Sequence, residues 1–516
     1  MANVRRIGSG LDRQGAKEYT VFNSVPSSFI SQELEGIYGN TILAELSQII
    51  GYYDVYENGA EFNVESGLDY EATEYRSKQS QKLINKEARF MFASPPDITI
   101  DVPTEDRKQT NVPQSILQDY VDAVIQKNAL DKKLLAAAKD CFIGKRVAYI
   151  VNFNEQTNRI TISFIPSLGF VYDVDDDDSE FLNKLVVFYA LNDSDLKNEQ
   201  RIYKKKYWME DGYCHIEEGI YDGMGIPVEE PEVFKTAFTY IPGGVILNDG
   251  LTGDMSGVSE IEQLFEAESW YNKVSSSDID SERKNMNPIT YSVDIDPRTT
   301  VGLSRRPGAY WDLQTDDNGD GQTGKVGMLE SSMNYSTPLA NTLERIRQDA
   351  YEQIDMPDVS AKALQGVVSS GKTLKAIYWS LMVRCDEKFL AWKVQLEHMV
   401  RTIIDGGRLF PQIAKAYSDK AIPDVEYEVL IENNYPIQDD TTEEKEMDLA
   451  EVHNGTMSKK AYMQKWRGLS DDEVVEELKQ MALERQYEDT AYFSNSTVFG
   501  TNQAKLKEEE IDGEGE

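Results

Sequence analysis

Three long helical segments constrain the fold of this chain more than any other feature of its sequence. Apolar residues at three- and four-residue spacing predict helices over residues 258–285, over 337–354, and from about 373 to the Gly406-Gly407 pair. A capping box, Ser259 with Glu262, marks the start of the first helix, and Pro338 marks that of the second. At 1.5 Å per residue the third helix would span roughly 50 Å, the length of a large domain.

The first of these helices changes character at its middle. Its first half is amphipathic, with Ile261, Leu264 and Phe265 among its apolar residues, whereas its second half, SSSDIDSERKN, is almost wholly polar. A polar half-helix has no apolar face to bury against a core. We therefore expect this half to project into water or to pack on copies of itself through polar contacts.

The rest of the sequence adds strands and shorter helices. Short β-branched and aromatic runs between Arg146 and Val245, without helical crossovers, predict an antiparallel sheet. Further short strands are predicted at Ile98–Ile100, at Val425–Ile431 and in an insertion over residues 286–333. Other helices are predicted over residues 69–92, 114–127, 131–141, 442–454, 458–466 and 470–489. The predicted fold class is α+β, mainly helical.

The net charge of −37, from 53 basic and 90 acidic residues, excludes one class of function. Proteins that grip duplex DNA neutralise its phosphates through a basic face, which this composition does not favour. Cys141, Cys214 and Cys385 lie far apart in sequence and predict neither a disulfide framework nor a zinc site. With no apolar run of 18 residues and no secretory signal, we expect a soluble protein in a reducing cytoplasm.

A phosphate-binding P-loop is the sharpest motif match, because residues 366–373 read GVVSSGKT. The motif needs a buried strand before the loop, so that backbone N–H groups and a helix N-terminus converge on the phosphates. The preceding residues, DMPDVSAKALQ, have no buried-strand pattern, and the later strand Val425–Ile431 is half-exposed. The sequence favours a loop that leads into a capped helix. A P-loop NTPase, such as a packaging motor, is the alternative.

Two acidic stretches resemble metal sites. DDNGDG, which begins at Asp316, opens like an EF-hand calcium loop, but Gly327 stands where that loop needs a bidentate Glu. The run Asp173–Asp178 is typical of a solvated loop between strands. The three histidines are isolated, and no nucleophile or paired carboxylate marks a catalytic site. The sequence predicts no metal, no cofactor and no enzyme activity.

One stretch is basic within this acidic chain. Residues 361–408 carry eight basic and four acidic side chains, a net charge of +4. A solvated helix face with i, i+4 charge pairs accounts for this pattern. Weak, rapidly exchanging contacts with a polyanion are the other interpretation.

The order of these elements resembles that of the portal proteins of tailed bacteriophages, in the group found in long-tailed phages. EYRSKQSQKLINKEARFMFASPPDITI resembles the family's early helix and strand, and SGVSEIEQLFEAESWYNKVSSSDIDSERKNMNPITY resembles its stem helix. SSGKTLKAIYWSLMVRCDEKF resembles the start of the long helix behind the tunnel loop, and ENNYPIQDDTTEEKEMDLAEVHNGTMSKKAYMQKW the passage from strand to crown. The resemblance spans about residues 25–490.

The resemblance implies a ring-forming phage portal fold with wing, stem, clip and crown regions. The wing would comprise residues 1–257 and the long helix with its return strand, 373–435. The stem helices would be 258–285 and 337–354, with the clip at 286–336. The tunnel loop would be 355–372, the crown helices 436–490 and the acidic flexible tail 491–516.

The resemblance also implies a function, that of a dodecameric channel at one capsid vertex through which DNA is packaged, retained and ejected. Its implied partners are further copies of the chain, the terminase large subunit, the head–tail adaptor, the major capsid and scaffolding proteins, and double-stranded DNA in transit. The protein would belong to the virion and assemble in the host cytoplasm, without a membrane.

The implied site residues lie in the tunnel loop and the clip. The loop would present Lys362, Gln365, Val367, Val368, Ser369, Ser370 and Lys372 to DNA. The clip would use Arg305, Arg306, Tyr310 and Trp311 to dock the motor or the adaptor. A different acidic capsid or scaffolding-type protein would share the charge, but it would not need two long helices around a β insertion.

Overall fold

A computed structural model of the chain describes most of the sequence. The described residues are 39–64, 71–103, 112–175, 177–178, 181–191, 201–222, 225–251, 254–286, 289–301, 311, 313–314, 324–329, 335–358, 371–436, 442–469 and 473–483. The chain divides into two compact units. The first unit comprises Met1–Val367 and Ala376–Pro436, and the second comprises Val368–Lys375 and Ile437–Glu516.

The first unit begins with four helices, whose buried apolar residues include Ile49, Leu83, Val121 and Phe142. They are α1 (Gly39–Asn58), α2 (Gln79–Phe92), α3 (Val112–Asn128) and α4 (Leu130–Gly144). The helices predicted over residues 114–127 and 131–141 are confirmed. The helix predicted over 69–92 is wrong in its first part, because residues 71–78 form a non-helical segment, here called the strap.

The β-rich region predicted after residue 146 is antiparallel, as expected, but it forms two sheets. Its strands are β2 (Arg146–Asn154), β3 (Arg159–Pro166), β4 (Phe170–Val174), β5 (Leu182–Leu191), β6 (Arg201–Glu210), β7 (Tyr213–Asp222), β8 (Glu232–Lys235) and β9 (Gly243–Leu247). The first sheet has the order β3-β2-β9, and the second runs from β4 to β8 in sequence order. Ile150, Phe170, Leu185, Tyr207 and Phe238 belong to one buried apolar cluster that joins the two sheets.

The predicted β insertion is confirmed as a hairpin between two helices. Helix α5 spans Glu260–Met286, and α7 spans Ser336–Glu352. Between them, β10 (Ile289–Val293) pairs antiparallel with β11 (Lys325–Leu329), and α6 (Pro297–Thr300) follows β10. The Oγ of Ser259 accepts a hydrogen bond from the backbone N–H of Ile261, so Ser259 caps α5 as predicted.

The third predicted helix is real but differs at both ends. It consists of α8 (Gly371–Ile377) and α9 (Trp379–Leu409), separated at Tyr378. The Gly406-Gly407 pair lies inside α9 rather than at its end. A Cβ on Gly406 would lie 2.0 Å from Cζ of Phe153, and one on Gly407 would lie 2.6 Å from the hydroxyl of Tyr120. The two glycines therefore serve the close approach of aromatic rings and do not terminate the helix.

A short helix and a two-stranded sheet complete the first unit. Helix α10 spans Pro411–Ala414, and β12 (Glu428–Glu432) pairs antiparallel with β1 (Asp97–Asp101). Exposed and buried residues alternate along β12, which confirms the predicted half-buried strand.

The second unit confirms the predicted short helices near the C-terminus. They are α11 (Thr442–Asn454), α12 (Lys459–Arg467) and a helix over residues 473–483. The hydroxyl of Ser458 accepts from the N–H of Ala461 at the start of α12, and Gly468 ends it with a positive φ of 64°. Local capping chemistry thus places these helices.

Candidate functional site

The hairpin between α5 and α7 exposes apolar residues on both of its faces. Tyr291 and Val293 lie on one face of the hairpin, and Val326 and Met328, opposite Ser292 and Thr290, lie on the other. A two-stranded hairpin by itself is at best marginally stable in water. Among the described residues no third strand joins this sheet.

The aromatic ring of Tyr291 accounts for Gly327, which stands where an EF-hand calcium loop would need Glu. A Cβ on Gly327 would lie 2.6 Å from this ring, so the pairing of Tyr291 with Gly327 requires glycine. Residues 315–323, which include the acidic stretch DDNGDG, lie outside the described residues. Within the described parts of the chain, no group of three or more His, Cys, Asp or Glu side chains is arranged to hold a metal ion.

At its N-terminal end, α5 joins α2 and α9 through a buried charge cluster, defined as Glu87, Glu260, Arg384 and Lys388. The ammonium of Lys388 lies 2.6 Å from a carboxylate oxygen of Glu87 and 2.5 Å from one of Glu260. The guanidinium of Arg384 lies 2.6 Å from Glu260 and 3.2 Å from Glu87. The side chains of Glu87, Glu260 and Lys388 are each at most 4% exposed, so four formal charges meet where little water is present.

The environment shifts the pKa values of the two carboxylates of this cluster in opposite directions. Burial raises the pKa of Glu260, but the charges of Lys388 and Arg384 outweigh burial and hold this pKa at about 2. For Glu87, burial outweighs the same two cations, and its pKa is raised above the ordinary value. One oxygen of Glu87, Oε2, is buried without a hydrogen-bond partner, whereas Glu260 also accepts from the amide of Asn248. Glu260 is therefore the firmly ionised partner of Lys388.

One face of the polar second half of α5 is covered by the chain itself, which the sequence did not predict, whereas Ser277, Glu282 and Lys284 stay exposed. Packing of this half on other copies stays a prediction. Four residues of α5, here called the ladder, are spaced four apart: Glu268 and Asn272, which precede the polar half, and Ser276 and Asp280 within it. They accept hydrogen bonds from the backbone N–H groups of Ser80, Ser77, Tyr75 and Thr73. The side chains of α5 thus replace the sheet partner that an extended segment would otherwise need.

From Asn272 to Asp280 the ladder keeps its register with the strap because two backbone repeats nearly match. Four residues of helix rise about 6.0 Å, and two residues of extended chain advance about 6.6 Å. Asn272 also donates to the carbonyl of Ala60, so it holds two segments of the chain at once. The strap cannot be helical while it makes these bonds, which is why the predicted helix begins only at Gln79.

The predicted tunnel-loop residues fall mostly outside the described part of the chain. Residues 359–370 are not described, and they include Lys362, Gln365, Val367, Val368, Ser369 and Ser370. Lys372 is the second residue of α8. Of the predicted clip residues, Arg305, Arg306 and Tyr310 lie outside the described residues, and Trp311 is half-buried.

The described residues show no sign of the P-loop architecture. Gly371, Lys372 and Thr373 begin α8, but every strand pair in the described chain is antiparallel. A phosphate-binding loop of this class leads from a buried parallel strand into its helix. Nothing in the described part of the chain supports a nucleotide site at this match, of which residues 366–370 lie outside that part.

The interpretation of the basic residues on the long helix as a solvated face is wrong for two of them. Lys388 is buried, and Arg384 is 13% exposed, because both form the charge cluster. A sequence signal for this was present: Lys388 continues the spacing of Leu381, Cys385 and Trp392 along the buried stripe of α9. A cation at such a position requires buried carboxylates, although the spacing could not say which ones.

The described residues thus combine antiparallel sheets, long helices and a hairpin with exposed apolar faces. Residues 40–491 match the family described as "Phage portal protein, SPP1 Gp6-like", and the chain belongs to this family. The predicted kinship with tailed-phage portal proteins is thereby confirmed, and the protein is a component of the phage capsid. A comparison with curated proteins finds no significant match. None of the helices described here is long and apolar enough to cross a membrane.

Proposed function

We propose that this portal protein forms a ring of twelve copies at one capsid vertex, with a central channel through which DNA is packaged, retained and ejected. The observation that carries the proposal is the hairpin β10–β11, which exposes apolar side chains on both faces that neighbouring chains would cover. An identical contact repeated head to tail around an axis closes into a ring. The other partners would be the terminase large subunit, the head–tail adaptor, and the major capsid and scaffolding proteins.

Within this ring, α5 and α7 would be the stem and residues 286–336 the clip, which docks the motor and then the adaptor. Residues 355–372 would form the tunnel loop next to DNA, and residues 436–490 the crown. Residues 1–257 and 373–435 would form the wing. The net charge of −37 supports a conduit, because neutralising fewer phosphates lowers affinity and allows DNA to slide.

Negative-stain images of the purified chain test the ring directly, and rings with a central hole are expected. Changing Val326 and Met328 to Lys should reduce the fraction of particles in rings, because charge on this face opposes its burial against a neighbour. Thr157→Lys, in the exposed turn between β2 and β3, is the matched control and should leave rings intact. Monomers or amorphous shells of the unaltered chain would contradict the proposal.

The tunnel loop is tested by deleting residues 359–370. The truncated chain should still form rings, and the packaging or retention of DNA should fall, because the loop would touch the duplex without holding the subunits together. Loss of rings would refute this placement of the loop. In the clip, Arg305→Glu or Arg306→Glu should weaken binding of the motor or adaptor, and unchanged binding would remove these residues from the site.

Measurement of ATP hydrolysis separates the conduit from the packaging motor suggested by the GVVSSGKT match. A conduit should show no ATP turnover, with or without the change Lys372→Ala. Turnover that Lys372→Ala abolishes would establish the motor instead.

A further inference from the structure

A groove of about 590 Å³ lies along the first half of α9. Its apolar lining includes Trp379, Val383 and Leu390, which are 61%, 41% and 65% exposed. Spacings of four and seven residues place these three side chains on one face of α9, away from the buried stripe of Leu381 and Cys385. Large apolar side chains that share one exposed face are typical of a binding surface.

The charged part of the lining is acidic where it meets solvent. Asp249, Asp355 and Glu387 line the groove and are exposed. Arg384 and Lys388 also line it, but both are engaged by the carboxylates of Glu87 and Glu260, and Arg384 lies in addition 3.8 Å from Asp355. The groove therefore offers apolar contacts beside the exposed carboxylates of Asp249 and Glu387, and it suits an occupant that is both apolar and cationic.

We propose that this groove binds the N-terminal segment of the chain, residues 4–13. The segment reads VRRIGSGLDR, with three arginines and one acidic residue. Residues 1–17 carry four basic and one acidic side chain, a net charge of +3 in a chain of −37. Val4, Ile7 and Leu11 would contact Trp379, Val383 and Leu390, and Arg5 and Arg6 would face Glu387 and its acidic neighbours.

The length of the connecting chain permits this contact. Arg13 precedes Gly39, the first described residue, by 26 positions, which is a reach of about 85 Å at ~3.3 Å per residue. This reach exceeds the length of α9, about 46 Å for 31 residues. The inference does not depend on the proposed ring, because the segment and the groove belong to the same polypeptide.

A photo-crosslinking amino acid at position 390 tests the proposal in the full-length purified chain. After irradiation, mass spectrometry should identify crosslinks to peptides from residues 1–17. The same probe at exposed Leu409, at the far end of α9, is the control and should not capture these peptides. Crosslinks from position 390 to any other peptide, whether from a second copy or from another protein, would overturn the proposal.

Charge reversal supplies a second, independent measurement. Glu387→Lys should lower the crosslink yield at least fivefold, and Arg5→Glu with Arg6→Glu should lower it similarly. Combining all three changes should restore most of the yield, since the charges again oppose each other. These residues are exposed or terminal, so folding should be retained, which circular dichroism can check. A yield that does not respond to these reversals would exclude charge complementarity as the basis of binding and so overturn the proposal.

Discussion

Two parts of α5 place polar side chains in the interior by different means. The first turn contributes Glu260 to the charge cluster, whose members contact one another through their side chains. The residues from Glu268 to Asp280 contribute the ladder, which binds the backbone of the strap and the N–H of Ser80. The same helix therefore attaches to α2 and α9 by charge pairing and to the strap by hydrogen bonds at a regular spacing.

This difference determines how sensitive the charge cluster and the ladder are to single substitutions. A buried charge cluster loses most when one member is removed, because the remaining charges stay buried without a counter-charge. A ladder of hydrogen bonds loses one contact at a time, and its other contacts hold the register. We therefore expect single changes to have large effects in the cluster and small ones in the ladder.

The largest effect is expected for Lys388→Met. This change leaves two carboxylates in the interior with Arg384 alone, and it should lower the free energy of unfolding by about 3–5 kcal/mol. Lys393→Met, five residues later on the same helix and half-exposed, is the matched control with little expected effect. Urea unfolding measures both variants. Equal losses of unfolding free energy would contradict the expected cost of breaking the cluster.

A smaller, pH-dependent loss of stability is expected when either carboxylate of the cluster is changed to an amide, and it should differ between the two. At pH 7, Glu260→Gln should cost about 1.5–3 kcal/mol, as expected for lost charge-assisted hydrogen bonds, and Glu87→Gln should cost less. The pKa of Glu260 in the folded chain, about 2, lies below its ordinary 4.5, so its ionised form stabilises the fold above about pH 4.5. This contribution is lost as the pH falls from about 4.5 towards 2.

The contribution of Glu87 to stability should depend on pH in the opposite direction. Its pKa is raised, so its contribution to stability is complete below about pH 4.5 and is lost as the pH rises through its folded pKa. Urea unfolding of both Gln variants at pH 7 and pH 3.5 measures the difference. If Glu87→Gln were the more damaging change at pH 7, the assignment of Glu260 as the ionised partner would be wrong.

The smallest effect is expected in the ladder, for Ser276→Ala. The change removes the acceptor for the N–H of Tyr75 and should cost about 1 kcal/mol. Hydrogen exchange of the Tyr75 amide should accelerate, while that of buried core amides should not. Ser277→Ala, on the exposed side of the same helix turn, should change neither quantity. A large loss of stability for Ser276→Ala would mean that the strap unfolds as one unit.

Local patterns were sufficient for much of the fold. The capped helices α11 and α12, the hairpin strand β10 and the alternating strand β12 all follow from short-range signals, namely caps, turns and period-two burial. The predictions that were wrong share a cause. The strap and the Gly406-Gly407 pair were read from local propensity, but their conformations are set by residues about 200 to 290 positions away in sequence.

The candidate site, too, was predictable from local patterns only in part. The spacing along α9 marks position 388 as buried, yet only the packing of α2 and α5 against α9 shows that Glu87 and Glu260 neutralise its lysine. Likewise, the polar residues of α5 are visible in sequence, but the segment that covers them is not. Pairing of this kind depends on contacts across long stretches of chain, which no local window contains.

The amino-acid sequence by itself determined the order of the elements, the acidic charge and the family, because each follows from composition or from patterns within a few tens of residues. Tertiary structure alone decided which polar side chains enter the interior. A buried charge or a backbone N–H must find a partner, and that partner is chosen by which segments the folded chain brings within about 3 Å.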